Sequence, residues 1–161
     1  MTAVGFEALR TIADYQFGTG AGTALFPEEE SPEIRRTSSG RPRQVAVDGA
    51  RLVTLKTDGR FSLGLEGGVR IASNLPFPAY RVVVGDESEP FVRDGKNVFA
   101  KFVRRVDPDV RASDEVVVEH ERNEVIAVGR AELDASAMMD FESGMAVSVR
   151  EGRPAESETK G

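Results

Sequence analysis

Five basic side chains lie close together in the second half of the chain, and we call them the basic ridge. They are Arg93, Lys96, Lys101, Arg104 and Arg105. Only Asp94 opposes them between residues 93 and 105, whereas residues 106–152 hold four basic residues against twelve acids. Lysine and arginine bind phosphate groups, so a local positive ridge predicts contact with nucleic acid at this place. The net charge of −6 argues against broad nonspecific binding and favours local, shape-dependent contact.

Side chains that could carry catalysis are few. The chain has no cysteine, which excludes disulfides, thiolate nucleophiles and cysteine metal ligands. Its one histidine, His120, lies in VVVEHERNE at a predicted strand end, where a surface or turn position is favoured over a catalytic base. Ser38 and Ser39 lack a nucleophile-elbow pattern. We therefore expect no enzyme activity and no cofactor.

Two further patterns resemble ligand sites but favour simpler interpretations. The acid pairs Asp107/Asp109 and Asp114/Glu115 lack the ligand count and loop glycine of a calcium motif, so we expect solvated acids and no metal site. The glycine-rich run Gly18–Gly22 lacks the Lys-Ser/Thr that ends a phosphate loop and follows a predicted helix. A helix C-cap followed by a flexible turn is favoured there.

The first half predicts one helix and an antiparallel meander. Apolar residues recur at helical spacing over Phe6–Phe17. A second basic cluster, Ile34–Arg43, is predicted as a hairpin tip that either faces RNA or is solvated. Short alternating runs follow, separated by the hairpin signals Asp48-Gly49 and Asp58-Gly59. The predicted strands are Gln44–Val47, Arg51–Thr57, Arg60–Leu65 and Val69–Ala72.

The second half predicts a small barrel. One strand is expected over Val98–Val103, with Val98, Ala100 and Phe102 on one face and Phe99, Lys101 and Val103 on the other. Further elements are strands at Tyr80–Val84, Glu115–Glu119, Val125–Leu133 and Ala146–Val149 and a helical turn at Ser136–Phe141. Gly129 predicts a bulge or a close backbone approach. The expected domains are 1–79, a small α+β domain, and 80–152, followed by a disordered tail at 153–161. With no candidate membrane span or secretory signal, the chain is expected to be cytoplasmic.

The second half carries four motifs in a fixed order, FVRDGKNVFAKFV, SDEVVV, EVIAVGRAEL and MMDFESGMAVSVREG. This series covers about residues 80–152 and resembles a PUA domain, the RNA-binding pseudobarrel of pseudouridine synthases and archaeosine transglycosylases. The first half, with ADYQFGTGAGTALFP and DGARLVTLKTDGRFSL, resembles the domain that precedes PUA in archaeal tRNA-guanine transglycosylases. Together the two resemblances imply an α+β fold in which a small α+β domain precedes a mixed β pseudobarrel with short helices.

The resemblance also implies where RNA would lie. Carried over by motif, the RNA-binding residues are Arg93, Gly95, Lys96, Asn97, Phe99, Lys101 and Arg150. The cationic side chains would contact phosphates, and Gly95 would let the backbone approach one. Asn97 could bond a base edge or a 2′-hydroxyl. Phe99 could stack on an unpaired base, although a core position is favoured, and Arg104 and Arg105 are expected to be solvated.

These observations predict a noncatalytic RNA-binding protein whose partner is structured RNA, with the acceptor region of tRNA as the first choice. It would act as a targeting or accessory subunit for an RNA-modifying enzyme, because the catalytic barrel and zinc site of the transglycosylases have no counterpart in these motifs. Two alternatives stay open. One is a PUA protein associated with the ribosome and translation, and the other is a protein-interaction adaptor.

Overall fold

The computed structural model describes residues 2–155, with side chains from residue 6 onward. The chain forms two compact units, of which the first ends at Pro76 and the second begins at Phe77. Helices and strands occur in both units, so the expected α+β class is confirmed. Within residues 2–155, no helix is long and apolar enough to cross a lipid bilayer. Most of the predicted tail, 153–161, lies outside the described residues.

The first unit combines three helices with a four-stranded antiparallel sheet. Its elements are α1 (Thr2–Phe17), α2 (Ala21–Leu25), β1 (Glu33–Arg36), β2 (Pro42–Val47), β3 (Ala50–Leu55), β4 (Phe61–Leu63) and α3 (Leu65–Asn74). The strands lie in the order β1-β2-β3-β4. The predicted helix buries Leu9, Ala13 and Phe17, which are spaced one helical turn apart. The amphipathic helix and three of the four predicted meander strands, which correspond to β2, β3 and β4, are therefore confirmed.

Aspartate–glycine turns connect the strands of this meander. Asp48 and Gly49 have φ angles of 51° and 83°, and Gly59 has a φ of 86°. Two consecutive residues with positive φ form the tight turn whose twist matches the flanking strands, and Asp-Gly tolerates it well. Val47 consequently pairs directly with Ala50 across the first turn.

The prediction of a strand at Val69–Ala72 was wrong, because these residues lie inside α3. Gly67 and Gly68, which precede these residues, are also helical. A Cβ atom at Gly67 would lie 2.1 Å from the carbonyl oxygen of Leu52 in β3. The absence of a side chain at Gly67 thus lets the helix pack directly on the strand backbone. Local helix propensity alone would interpret the two glycines as a break in the helix.

The second unit is a mixed, nearly closed β barrel with short helices. Its elements are β5 (Arg81–Val84), α4 (Glu89–Arg93), β6 (Val98–Phe99), a 3-10 turn (Ala100–Phe102), β7 (Val103–Val106), β8 (Glu115–His120), β9 (Glu124–Ala131), α5 (Ala135–Asp140) and β10 (Met145–Gly152). The strand order is β6-β10-β9-β8-β5-β7. Strands β5 and β8 are parallel, and the other pairs are antiparallel. The expected pseudobarrel is confirmed.

The two edge strands of this sheet, β6 and β7, are consecutive in the chain. The 3-10 turn at Ala100–Phe102 carries the chain from one edge to the other, so the predicted single strand over Val98–Val103 was wrong. The amide of Ala100 donates to the carbonyl of Gly144 at 2.9 Å, which holds the corner. Beyond this corner the side chains no longer alternate between buried and exposed faces as predicted, because Val103 is buried along with Val98.

Valines and small residues fill the interior of the barrel. Val82, Val84, Val98, Val116, Val118 and Ile126 are fully buried. A Cβ atom at Gly129 in β9 would lie 2.3 Å from the carbonyl oxygen of Ser148 in β10. The predicted close backbone approach at Gly129 is therefore present, and it lets β10 cross β9 tightly.

Candidate nucleic-acid interface

The loop after α4 carries Lys96 of the basic ridge, and the end of the helix fixes the shape of this loop. Gly95 has a φ of 92° and donates its N–H to Val92, while the N–H of Lys96 donates to Phe91 at 2.9 Å. This pair of bonds is the Schellman ending of a helix, which favours glycine at the left-handed position. Gly95 is thus needed for the turn itself, and the space around its Cα is open. The turn places Lys96 immediately beyond the helix.

Lys96 and Lys101 are the exposed lysines of the ridge. Both side chains belong to exposed residues, and neither forms an ion pair with any residue between 6 and 155. The ammonium group of Lys101 lies 5.2 Å from the centre of the Phe102 ring, which restricts its position without neutralising its charge. These two charges are therefore available to an anionic ligand.

Asn97 lies between the two lysines in sequence and is partly buried. Its side-chain oxygen accepts the N–H of Val149 in β10 at 3.0 Å. This bond ties the ridge loop to the last strand of the barrel. A ligand would consequently meet the amide nitrogen of Asn97 and not its oxygen.

Phe99 is half-exposed, with 46% of its surface accessible, so the favoured core position was wrong. It lies in β6 directly opposite Met145 of β10, which is 36% exposed. The ring of Phe141, also exposed, packs near Gly144 just before Met145. These three side chains form an apolar step, which we define as Phe99, Phe141 and Met145. An exposed aromatic edge beside lysines is a suitable surface for stacking a base.

Arg93 lies at the end of α4, and its guanidinium group is held by protein acceptors. Its Nε donates to Glu89 at 2.8 Å, a terminal nitrogen lies 2.8 Å from Glu124, and the other donates to the carbonyl of Arg153 at 3.1 Å. Only 10% of the side chain is exposed. Burial lowers the pKa of Arg93, but its bonds to Glu124 and Glu89 outweigh that effect, so the pKa is raised. The hydrogen bond from Arg93 also lowers the pKa of Glu124.

Arg150, in β10, is held in a similar way. Its two terminal nitrogens donate to the two carboxylate oxygens of Glu115 at 2.8 and 2.7 Å. Glu115 is buried in β8, with 2% of its side chain exposed. Since a buried carboxylate needs a partner, this bidentate pair stabilises the barrel wall. The charge of Arg150 is largely compensated.

The remaining two ridge residues are exposed, as expected. Arg104 forms an exposed ion pair with Glu87 at 2.5 Å. Arg105 lies over the ring of Phe77, 4.6 Å from its centre. The positive charge of the ridge is therefore concentrated at Lys96, Lys101 and Arg105.

His120 is buried, with 3% of its surface exposed, so the predicted surface position was wrong. Its Nδ1 accepts the backbone N–H of Arg122 at 3.1 Å, and its Nε2 lies 2.6 Å from Asp86. An acceptor at Nδ1 places the proton on Nε2, from which it is donated to Asp86. The following turn and Asp86 thus provide partners for both ring nitrogens of this buried histidine.

The side chains of Asp86, Glu89 and His120 bring three potential metal ligands within 4.8 Å of one another. A metal at Nε2 needs the ring proton on Nδ1, where the N–H of Arg122 already points. The side chain of Arg122 also contacts Glu89 at 2.8 Å. The geometry therefore favours a hydrogen-bonded network over a metal centre.

Two of the acids expected to be solvated are buried and have structural partners. Asp107 accepts the N–H of Tyr80 at 2.7 Å and that of Asp109 at 2.9 Å. Glu115 pairs with Arg150, as described above. Burial of these carboxylates is possible because each accepts strong hydrogen bonds.

The glycine-rich run ends α1, as predicted. Gly18 has a φ of 105°, and its N–H donates to Asp14. A short second helix, α2, then begins, and the N–H of Gly22 donates to the carboxylate of Asp14 at 2.7 Å. An acid of the chain itself therefore occupies the place where a phosphate loop would hold its anion.

Comparison with known families accounts for both units. Residues 7–78 match the patch-forming domain C2 of tRNA-guanine transglycosylase, and residues 80–153 match the PUA domain. The second unit is therefore a PUA domain, and the chain resembles the C-terminal part of archaeal tRNA-guanine transglycosylases. It is 46% identical over 145 residues to the tRNA-guanine(15) transglycosylase of Pyrococcus furiosus, covering 89% of this chain and 24% of that protein. It is 43% identical to that of Methanothermobacter thermautotrophicus over 147 residues, or 91% of this chain and 22% of that protein.

This PUA-domain chain thus spans about a quarter of the length of the curated relatives it matches. Solved structures share its fold. A hypothetical protein of Pyrococcus horikoshii has a TM-score of 0.75 at 16% identity, with 99% of this chain and 96% of that chain covered. A conserved PUA domain protein from Thermoplasma acidophilum has a TM-score of 0.63 at 20% identity, with 94% and 95% covered.

Proposed function

We propose that the chain is a noncatalytic RNA-binding protein that engages the acceptor region of tRNA through its PUA domain. The observation that carries this proposal is the exposed pair Lys96 and Lys101 beside the apolar step. Lysine ammonium groups contact phosphates and set the position of the RNA. The ring edge of Phe99 offers a stacking surface to an unpaired base, such as those at the 3′ end of a tRNA.

The proposed interface uses the seven predicted residues in different ways. Lys96 and Lys101 contact phosphates, Asn97 donates from its amide nitrogen, and Phe99 stacks. Gly95 shapes the turn and leaves room for a phosphate. Arg93 and Arg150 lie at the edges of this surface, each already bonded to a glutamate.

We further propose that the protein brings its RNA to a modification enzyme and that this enzyme carries out the chemistry. The relatives are named tRNA-guanine(15) transglycosylases, and the matched region is about a quarter of their length. The domains matched here are their C2 and PUA domains. The accessory role follows if a separate polypeptide supplies the catalytic part.

A binding titration tests the proposal. The purified full chain is titrated with a tRNA transcript, the same transcript lacking its 3′ terminal nucleotides, and a DNA of matched sequence. A Lys96→Glu/Lys101→Glu variant is measured alongside, with Arg111→Glu/Arg130→Glu as the control for the same charge change elsewhere on the domain. We expect preference for the intact tRNA and loss of binding only in the lysine variant. Equal binding of DNA and of both transcripts would contradict recognition of the acceptor end.

A protein-interaction adaptor is the second candidate, because the three side chains of the apolar step are exposed, as is Met139 of α5, of which 51% is accessible. An adaptor predicts that the folded chain binds no RNA at any salt concentration and that the charge reversal at the two lysines has no effect. The same titration therefore separates the two candidates.

A further inference from the structure

The ion-pair cluster around Arg93 joins three parts of the second unit at one guanidinium group. Glu89 begins α4, Glu124 begins β9, and the carbonyl of Arg153 follows the end of β10. We call Arg93, Glu89 and Glu124 the clamp. Each nitrogen of Arg93 meets a different acceptor, and only 10% of the side chain is exposed, so the site leaves little room for a phosphate at this group.

The clamp is surrounded by contacts that leave little freedom to α4. Val92 is fully buried, and a Cβ atom at Gly152 would lie 2.4 Å from the carbonyl oxygen of Arg93. Arg122 also donates to the clamp residue Glu89 at 2.8 Å. The helix has five residues, too few to be stable alone, so these contacts hold it on the barrel.

The position of Lys96 depends on the position of this helix. Lys96 is the second residue beyond the helix cap at Asp94, and its N–H donates to Phe91 within α4. Asn97 follows and is bonded to β10. A shift of α4 therefore moves the Lys96 backbone relative to Asn97 and to the exposed ring of Phe99.

We infer that Arg93 is a positioning residue for RNA binding, acting through Lys96, and that it makes no phosphate contact of its own. This inference rests on the proposed function. It assigns Arg93 a different role from the direct contact predicted by sequence motif. Its charge serves the two carboxylates of the clamp, whereas Lys96 and Lys101 contribute charge to the bound phosphates.

Two substitutions at Arg93 distinguish positioning from contact. Arg93→Lys keeps the positive charge but cannot bond three acceptors in a planar fork, whereas Arg93→Met keeps the length and removes the charge. Positioning predicts that both lose about fivefold in affinity for the tRNA transcript, the lower end of usual coupling between sites. Direct contact predicts that Arg93→Lys binds nearly as well as the wild type.

The salt dependence of binding gives an independent readout. Each phosphate contact contributes about 0.7–0.9 to the slope of log K against log salt concentration. We expect the slope of both Arg93 variants to equal that of the wild type, and the slope of Lys96→Met to fall by about one contact. A lower slope in Arg93→Met, with Arg93→Lys restoring it, would overturn the inference.

For Glu124→Ala, a pure charge effect and the positioning role predict opposite changes in affinity for the tRNA transcript. By charge alone, removing an acid near the ridge strengthens binding to an anion, whereas loosening the clamp weakens it. We expect weaker binding, and stronger binding would overturn the inference. Glu124 is 42% exposed, so this variant keeps the test available if the Arg93 variants do not fold.

Failure of the inference is distinguishable from failure of the proposed function. Absence of tRNA binding by the wild type removes the proposed function and, with it, the basis of the inference. Binding by the wild type with undiminished affinity in Arg93→Lys removes the inference alone. Arg111→Met, which removes an exposed arginine from the loop between β7 and β8, is the matched control and should bind as the wild type does.

Discussion

Arg81 and Glu119 form a buried ion pair, and the loss of stability on removing Arg81 should depend on pH, whereas the loss on removing Glu119 should not. Their side chains are 2% and 6% exposed, and Arg81 Nε lies 3.5 Å from a Glu119 oxygen. Burial lowers the pKa of Arg81 against the attraction of Glu119 and Asp107. Burial raises the pKa of Glu119 against the attraction of Arg81. Desolvation is thus the larger effect on both groups, and only the glutamate can discharge near neutral pH.

Arg81→Met leaves Glu119 in an apolar site, where it can avoid burying a charge by binding a proton. Holding that proton costs about 1.4 kcal/mol per pH unit above an ordinary glutamate pKa of about 4.3. The loss of unfolding free energy is therefore limited to about 4 kcal/mol at pH 7.5 and about 2 kcal/mol at pH 5.5. The unfolded chain releases the proton and the folded variant keeps it, so stability falls as the pH rises.

Glu119→Met leaves the guanidinium of Arg81 charged at both pH values, because arginine does not release its proton in this range. Its loss should be about 3–5 kcal/mol, typical of breaking a buried pair, and should not change with pH. The double variant Arg81→Met/Glu119→Met should be less destabilised than either single variant, since neither member of the pair is left buried without the other.

Urea unfolding of the wild type and the three variants at pH 5.5 and 7.5 measures these differences. Both values lie above the isoelectric point of about 5.0, which limits precipitation. Subtracting the wild-type values removes the pH dependence of all other groups. An equal loss for Arg81→Met at the two pH values would refute the reasoning, because it would mean that Glu119 stays ionised in its buried site.

Two further predictions concern the elements that shape the units. Gly67→Ala should lower the free energy of unfolding by about 2 kcal/mol or more, because its Cβ would lie 2.1 Å from the Leu52 carbonyl oxygen. Ser73→Ala, on the exposed part of α3, should change little, and similar losses for both in urea unfolding would contradict the packing argument. Asp134→Ala should cost about 1 kcal/mol, because the Asp134 carboxylate caps α5 by accepting the Ala137 N–H at 2.9 Å. Unchanged stability in thermal unfolding would show that the cap contributes nothing.

Local chemistry was enough to predict much of the fold. The two Asp-Gly turns, the helix at Phe6–Phe17 and the close approach at Gly129 each depend on residues adjacent in sequence or on a missing side chain. The helix α3 could not be predicted in this way, because its glycines are explained by the carbonyl of Leu52, which lies on another element. The corner at Ala100–Phe102 likewise follows from barrel closure and not from the alternation of its side chains.

For the candidate site, the sequence identified the basic side chains but not which of them already have partners in the protein. Exposure of Lys96 and Lys101 agrees with the sequence argument for a positive ridge. The ion pairs of Arg93 and Arg150 were missed, because Glu124 and Glu115 are distant in sequence and brought close by the barrel. His120 was missed for a similar reason, although a histidine two residues before a turn residue could have suggested a bond to the backbone.

The most direct test of the proposed interface is hydrogen exchange of the full chain with and without a saturating tRNA transcript, followed by mass spectrometry of its peptides. Bound RNA slows exchange where it covers or rigidifies the backbone. We expect protection of residues 94–101 and of the adjoining start of β10, Met145–Val147, and no protection of the β8–β9 turn at 121–123. Tight binding without protection at 94–101 would contradict the interface proposed for this domain.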